Sequence, residues 1–234
     1  MWRKVDFGLI ERGAVVLFTR VPVPGRAKTR LMPLLTPEGC CLLQGAFILD
    51  VFSAVCGSGY DVFVCHTEEG DIEPLKSQLV GASGFFPQQG RDLGEKMHNA
   101  ICYVLGLGFD GCVLVGSDIP LLSSRDISSV FELLAVRDVV IGPAEDGGYY
   151  LIGLKQPCRD IFSIEYGTSS VFEETVAAVL GAGMSFAAAR IMRDIDEPED
   201  LFWLVDKLSH EESGVCPVTR EVLSGLEIGG EKFD

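Results

Sequence analysis

At 234 residues, the chain has the length of one α/β domain with a substantial core. Apolar residues make up 47% and charged residues 23%, the balance of an ordinary globular protein rather than of a disordered chain. A net charge of −15 argues against a general nucleic-acid binder, which needs a basic face.

The charge is spread unevenly. Residues 1–35 hold seven basic residues (Arg3, Lys4, Arg12, Arg20, Arg26, Lys28, Arg30) against Asp6 and Glu11, whereas the remainder holds 12 basic and 32 acidic residues. A basic island in an acidic chain suggests a small anionic ligand. No run approaches the roughly 20 apolar residues of a membrane span, so no membrane contact is expected. Met1 to Arg12 is charged and lacks an apolar signal core, so the expected location is cytoplasmic. The eight cysteines include no CxxC pair to start a zinc site. Cys56, Cys65, Cys102 and Cys112 lie in or beside apolar runs and read as reduced, buried thiols.

In chain order, Gly13–Thr19 is a short apolar run that predicts a buried strand, followed by a helix over 38–56. Strands are predicted at Asp61–His66, Gly111–Gly116, 138–141 and Tyr149–Leu154, with helices over 93–105, 124–134 and 170–180. Ser170 with Glu173 reads as a capping box. Pro198 opens a last helix, with Leu201, Leu204, Val205 and Leu208 on one apolar face. Residues 209–234 turn polar and are expected to form a loosely packed appendage to a domain of residues 1–208. Alternation of strand and helix predicts a largely parallel sheet covered on both faces, with ligands beyond the C-terminal strand ends.

Four motifs fall at such ends. Directly after the first strand, Pro22, Pro24 and Gly25 shape a loop carrying Arg20, Arg26, Lys28 and Arg30, cations suited to a di- or triphosphate. This loop is neither a Walker A sequence nor a GxGxxG fingerprint. Next, Val115-Gly116-Ser117-Asp118-Ile119-Pro120 ends an apolar strand on a single carboxylate. Asp118 is expected to hold a divalent ion; capping the following helix is its structural alternative. In Gly142-Pro143-Ala144-Glu145-Asp146-Gly147-Gly148-Tyr149-Tyr150, the paired glycines permit a tight turn or close approach to a ligand. The last motif, Asp194-Ile195-Asp196-Glu197-Pro198-Glu199-Asp200, alternates acids so that Asp194 and Asp196 face one side and complete an ion site with Asp118. Two weaker signals are Gln89 and Asp92, in a polar loop suited to reading a base or ribose, and Thr168, ahead of a helix N-terminus. His66, His98 and His210 are scattered, which argues against a Ser–His hydrolase.

Phe18–Leu31, Gly116–Pro120, Gly142–Tyr150 and Asp194–Leu201 together resemble the successive motifs of the bacterial GT-A-like transferases termed radical-SAM/selenodomain-associated transferase 1. The resemblance covers roughly residues 13–208, and that family is similar in turn to phospholactate and molybdenum-cofactor guanylyltransferases and to nucleotide-sugar transferases. It implies a single three-layer GT-A domain with a mixed, mainly parallel sheet, a nucleotide on the first-strand loop and a metal at Asp118. Asp196 corresponds to a second metal ligand of sugar-activating cytidylyltransferases. Tyr166 stands where relatives often have Trp, and Arg91 precedes Asp92-Leu93-Gly94 where a Gly is frequent.

The expected activity is therefore Mg²⁺- or Mn²⁺-dependent transfer from a nucleotide-sugar to a small-molecule acceptor. Arg20, Gly25, Arg26, Lys28, Arg30, Gln89 and Asp92 would bind the nucleotide, and Asp118 and Asp196 the metal. Asp146 would be the catalytic base, and Gly147, Gly148, Tyr149 and Thr168 would meet the acceptor. The alternatives are nucleotidyl transfer from a nucleoside triphosphate with pyrophosphate release, and a non-catalytic nucleotide-binding protein on the same fold.

Overall fold

The computed structural model describes residues 10–229 and 231–232; Arg3, Lys4 and Asp6 of the basic stretch lie outside the described residues. A seven-stranded sheet is formed by β1 (Gly13–Thr19), β2 (Asp61–His66), β3 (Gly84–Pro87), β4 (Gly111–Gly116), β5 (Val139–Pro143), β6 (Tyr149–Leu154) and β7 (Phe186–Ala188). Its order is β3-β2-β1-β4-β6-β5-β7, and β6 alone runs antiparallel to its neighbours. The expected mixed, mainly parallel sheet is therefore present. β3 and β7 carry too few residues to announce themselves in the sequence.

Strand alternation sends Val15 and Leu17 to one face, under α1 (Pro37–Cys56) and α4 (Ser124–Val136), together with Leu75 of the short α2 (Glu73–Lys76). Ala14 and Val16 face the other side, under α3 (Leu93–Gly106) and α5 (Val171–Gly181). A third cluster joins Leu31, Leu43 and Phe47 to Leu201, Leu204 and Leu208 of α6 (Pro198–His210). α1 is long and apolar enough, by length and composition, to cross a membrane, contrary to the reading that no run approaches that size. Its apolar side chains serve the first and third clusters, and 61% of its most apolar stretch is buried in the protein.

Two local expectations change. Ser170 precedes α5, but its hydroxyl donates to Glu174 at 2.6 Å and makes no capping bond. The C-terminal segment is integrated rather than loose: it carries α7 (Pro217–Gly225) and the small hairpin β8 (Glu227–Ile228) and β9 (Glu231–Lys232). Leu223 and Ile228 enter the third cluster. Arg220 draws this segment together by donating to the carbonyls of Leu208, Glu211, Glu212 and Val215. All eight cysteines are free, and burial pushes the Cys65 thiol up to about 12.

What docks α7 is a carboxylate. Asp50, 5% exposed in the middle of α1, accepts from the amides of Val218 at 3.1 Å and Thr219 at 2.8 Å. These are first-turn donors that the helix cannot satisfy itself. Asp50→Ala strands them, so we expect a loss of about 2 kcal/mol in urea unfolding, with an unchanged slope. Stability within about 0.5 kcal/mol of wild type would show that the cap contributes nothing.

Candidate active site

β1 and β4 are parallel neighbours in register, Phe18 beside Gly116, so both chains leave the sheet at the same edge. Because β6 runs the other way, its first residues reach that edge as well. Ala144 and Gly148 close the turn between β5 and β6, with Gly147 at φ +91°. A Cβ on Gly147 would lie 2.1 Å from the Ser169 carbonyl oxygen, so only glycine fits. Around this edge opens a cleft of about 560 Å³, of a size suited to a small-molecule ligand.

Polar groups floor the cleft. Thr19 and Ser117, at the ends of β1 and β4, share a hydrogen bond of 2.9 Å between hydroxyls, and Gln44 of α1 donates to Ser117 at 3.0 Å. All three are buried. Gln88 donates to the Thr19 carbonyl at 2.9 Å and fixes the wall beside β1. On the rim stand Arg20 and Arg26 from the first-strand loop and Lys96 from α3. Arg26 pairs with Glu69 at 2.8 Å in an exposed contact that an incoming anion can replace.

Lys28 departs most from expectation. Gly25, at φ +78°, turns the loop, and Lys28 itself is left-handed at φ +46°. This sends the side chain inward, where it is 3% exposed and its ammonium faces three oxygens. Nζ donates to the Ile195 carbonyl at 2.6 Å and to Asp196 Oδ1 at 2.9 Å. Asp118 Oδ1 lies 2.6 Å away, off the hydrogen-bond direction, and has no other polar partner. Burial alone would lower the ammonium's pKa; the charges of Asp118 and Asp196 outweigh it and hold it above the ordinary lysine value.

Asp118 and Asp196 thus converge on one point, and the Ile195 amide donates to the Asp118 carbonyl at 2.9 Å to lock the two segments together. Asp118 does not cap α4, whose N-terminus is held by the reciprocal pair Ser123 and Asp126. The donor set suits a hard divalent cation: two carboxylates, each side chain 42% exposed, and one buried oxygen without a directed partner. Among the described residues no group of three or more Asp, Glu, His or Cys side chains forms a complete metal cage. The remaining ligands would have to come from phosphates and water, as is usual for Mg²⁺.

Asp194 lines the cleft beside Asp146, whose Oδ1 accepts from the Gly148 amide at 2.8 Å. Gly148 and Tyr149 line the cleft too, the Tyr149 hydroxyl lying 3.2 Å from that of Tyr166. Other expected site residues stand outside it. Arg30 pairs with Glu197 at 3.0 Å on the surface. Asp92 caps α3 through the Glu95 amide at 2.8 Å, and Gln89 is exposed while its neighbour Gln88 faces inward. Gly147 packs on the Ser169 backbone, and the Thr168 hydroxyl meets that of Ser170 at 3.0 Å.

Burial, with Asp146 and then Asp196 and Asp200 nearby, pushes the Asp194 carboxyl up to about 6. A carboxyl raised in the folded state contributes stability at low pH, which is lost as pH rises from about 4 through about 6. Asp194→Asn is therefore expected to stabilise the protein at pH 7.5 in chelator by about 1 kcal/mol, after discounting for partial exposure, and by nothing at pH 4. Thermal melts across this range check it. A variant that melts below wild type at pH 7.5 would contradict the assignment.

Residues 52–168 match the model of a family described as an uncharacterized protein conserved in bacteria (DUF2064). The chain is 30% identical over 177 residues to the 2-phospho-L-lactate guanylyltransferase of Methanothermobacter thermautotrophicus, covering 75% of this chain and 77% of that one. Among solved structures, a protein of Desulfovibrio desulfuricans described as a nucleotide-diphospho-sugar transferase superposes with a TM-score of 0.81 at 29% identity, over 89% of this chain and 94% of that one. A cytidylyltransferase of Leptospira borgpetersenii shares the fold, with a TM-score of 0.57 at 15% identity over 92% and 94% of the two chains. The chain belongs to the DUF2064 family and is a transferase built on the nucleotide-diphospho-sugar transferase fold.

Proposed function

We propose that the protein is a nucleotidyltransferase that moves a guanylyl group from GTP to a small phosphorylated hydroxy acid and releases pyrophosphate. The observation that carries this reading is the identity to a guanylyltransferase across three quarters of both chains. It prefers nucleotidyl over glycosyl transfer, the reverse of the order expected from the sequence. The finer grouping with the radical-SAM/selenodomain-associated transferases is part of this reading and rests on motif order.

In this reaction an oxygen of the acceptor phosphate attacks the α-phosphorus of GTP. A new P–O bond forms, the bond from the α-phosphorus to the α,β-bridging oxygen breaks, and its electron pair leaves on pyrophosphate. Arg20 and Arg26, on the cleft rim, grip oxygens of the leaving diphosphate, Arg26 exchanging Glu69 for phosphate. Asp118 and Asp196 would hold Mg²⁺ or Mn²⁺, which would neutralise charge on the leaving group. A phosphate nucleophile is already ionised near neutral pH, so no base is needed. Asp146, anchored to the Gly148 amide, then orients the acceptor; with a hydroxyl acceptor it would regain the role of base.

Glycosyl transfer is the second reading, favoured by the description of the Desulfovibrio desulfuricans protein. It would release a nucleoside diphosphate instead. The test is a coupled pyrophosphate assay with GTP, Mg²⁺ and a panel of phosphorylated hydroxy acids that includes 2-phospho-L-lactate. Pyrophosphate release is expected, falling by about 100-fold or more in Asp118→Ala, a loss of several kcal/mol of transition-state stabilisation. Release of GDP from a GDP-sugar, with no pyrophosphate from any nucleoside triphosphate, would overturn it.

A further inference from the structure

The Asp118–Asp196 pair already contains a cation. The Lys28 ammonium faces both carboxylates and the Ile195 carbonyl, and lies 5.5 Å from the centre of the Phe47 ring. Its side chain is 3% exposed and its backbone is fixed by the left-handed turn at φ +46°. Unlike Arg26, which is exposed and paired with Glu69, it is held below the surface by these contacts. An incoming divalent ion must take the oxygens of Asp118 and Asp196 that Lys28 leaves free, while sitting close to a positive charge.

Two carboxylates and one ammonium sum to a single negative charge. That charge is enough to hold the pair together and too small to pull a dication out of water, because like-charge repulsion cancels much of the carboxylate attraction. Among the described residues no third Asp, Glu, His or Cys joins the group to restore the balance. The charge that is missing is what a nucleoside triphosphate brings: several anionic oxygens, delivered along the rim of Arg20 and Arg26 beside the pair.

We propose that Lys28 is a positioning residue and built-in counter-ion that keeps the Asp118–Asp196 pair assembled but half neutralised, so that the divalent ion enters only together with nucleotide phosphates. This inference deepens the nucleotidyl-transfer reading and rests on its divalent site. It assigns Lys28 to control of metal entry and leaves phosphate grip to the arginines. It also explains why the most buried cation of the basic loop is engaged by the Asp118–Asp196 pair.

Mn²⁺ retained by the protein in equilibrium dialysis, read by electron paramagnetic resonance, tests this without turnover. Wild type should show no saturable Mn²⁺ binding alone, and one bound ion once GTP is added. Lys28→Met should bind Mn²⁺ without GTP, at least about tenfold more tightly than wild type, because the pair regains its full charge. Lys28→Arg, which keeps the positive charge, should behave as wild type, and adding Asp118→Asn to Lys28→Met should abolish the gain. A purely structural role for Lys28 would move melting temperature but create no nucleotide-free site.

Tight nucleotide-free binding by wild type, or no gain in Lys28→Met, overturns the proposal. Should Lys28→Met fail to fold, Lys28→Gln, which keeps a donor for the Ile195 carbonyl, replaces it; should neither fold, the wild-type comparison with and without GTP decides. If no Mn²⁺ binds under any condition, the divalent site itself falls. Pyrophosphate release measured on the same preparations tells this outcome apart from a failure of the transfer reading.

Discussion

A lysine ammonium removed from water is tolerated only where charge and hydrogen-bond acceptors surround it, and Lys28 meets both conditions at once. Together with its partners it joins three distant parts of the chain: the loop after β1, the end of β4 and the segment leading into α6. Holding that ammonium therefore fixes these segments relative to one another. The asymmetry of buried pairs makes the arrangement brittle, since removal of the ammonium leaves two facing carboxylates with no charge to compensate them. The shape of the basic loop follows from the same constraint. Gly25 and the left-handed Lys28 turn the side chain inward, which leaves Arg20 and Arg26 as the loop's cations on the cleft rim.

Around this anchor the cleft mixes charges. Its lining carries Arg20, Arg26 and Lys96 together with Glu69, Asp118, Asp146 and Asp194, and Lys28 ties Asp196 to Asp118. Burial, with Asp146 and then Asp196 and Asp200 nearby, raises Asp194 to about 6. Such a site is incomplete by itself. It calls for an anion with an extended charge along the cationic rim and for positive charge opposite the acids. A nucleoside triphosphate with a divalent ion supplies both. The Thr19–Ser117–Gln44 floor is neutral and joined by hydrogen bonds, so it holds the strand ends without adding charge.

The long apolar strands were legible because parallel strands buried on both faces read as unbroken hydrophobic runs. β1, β2, β4 and β6 fall where the runs predict them. The carboxylates at strand ends were legible for a related reason: Asp118 interrupts such a run at the edge where ligands bind. What stayed hidden depends on contacts between distant residues. No local pattern says that Asp50 would cap α7, so the C-terminal segment reads as loose although α7 is docked. Nor does alternation along the basic loop reveal which cation turns inward, because the left-handed backbone at Lys28 breaks the period. Gln44 offered a usable signal, a lone amide among apolar residues of α1, and Gln88 rather than Gln89 follows from strand parity in the short β3.

In the proposed reaction the bond broken lies at the α-phosphorus of a nucleotide rather than at a sugar carbon. The most direct measurement follows label from GTP carrying ³²P at either the α or the γ position, with the phosphorylated hydroxy acid that supports turnover. The α label should move into the acceptor product while the γ label leaves as pyrophosphate. If the α label stays in a free guanosine nucleotide while product accumulates, the bond broken lies elsewhere and the nucleotidyl-transfer account is wrong.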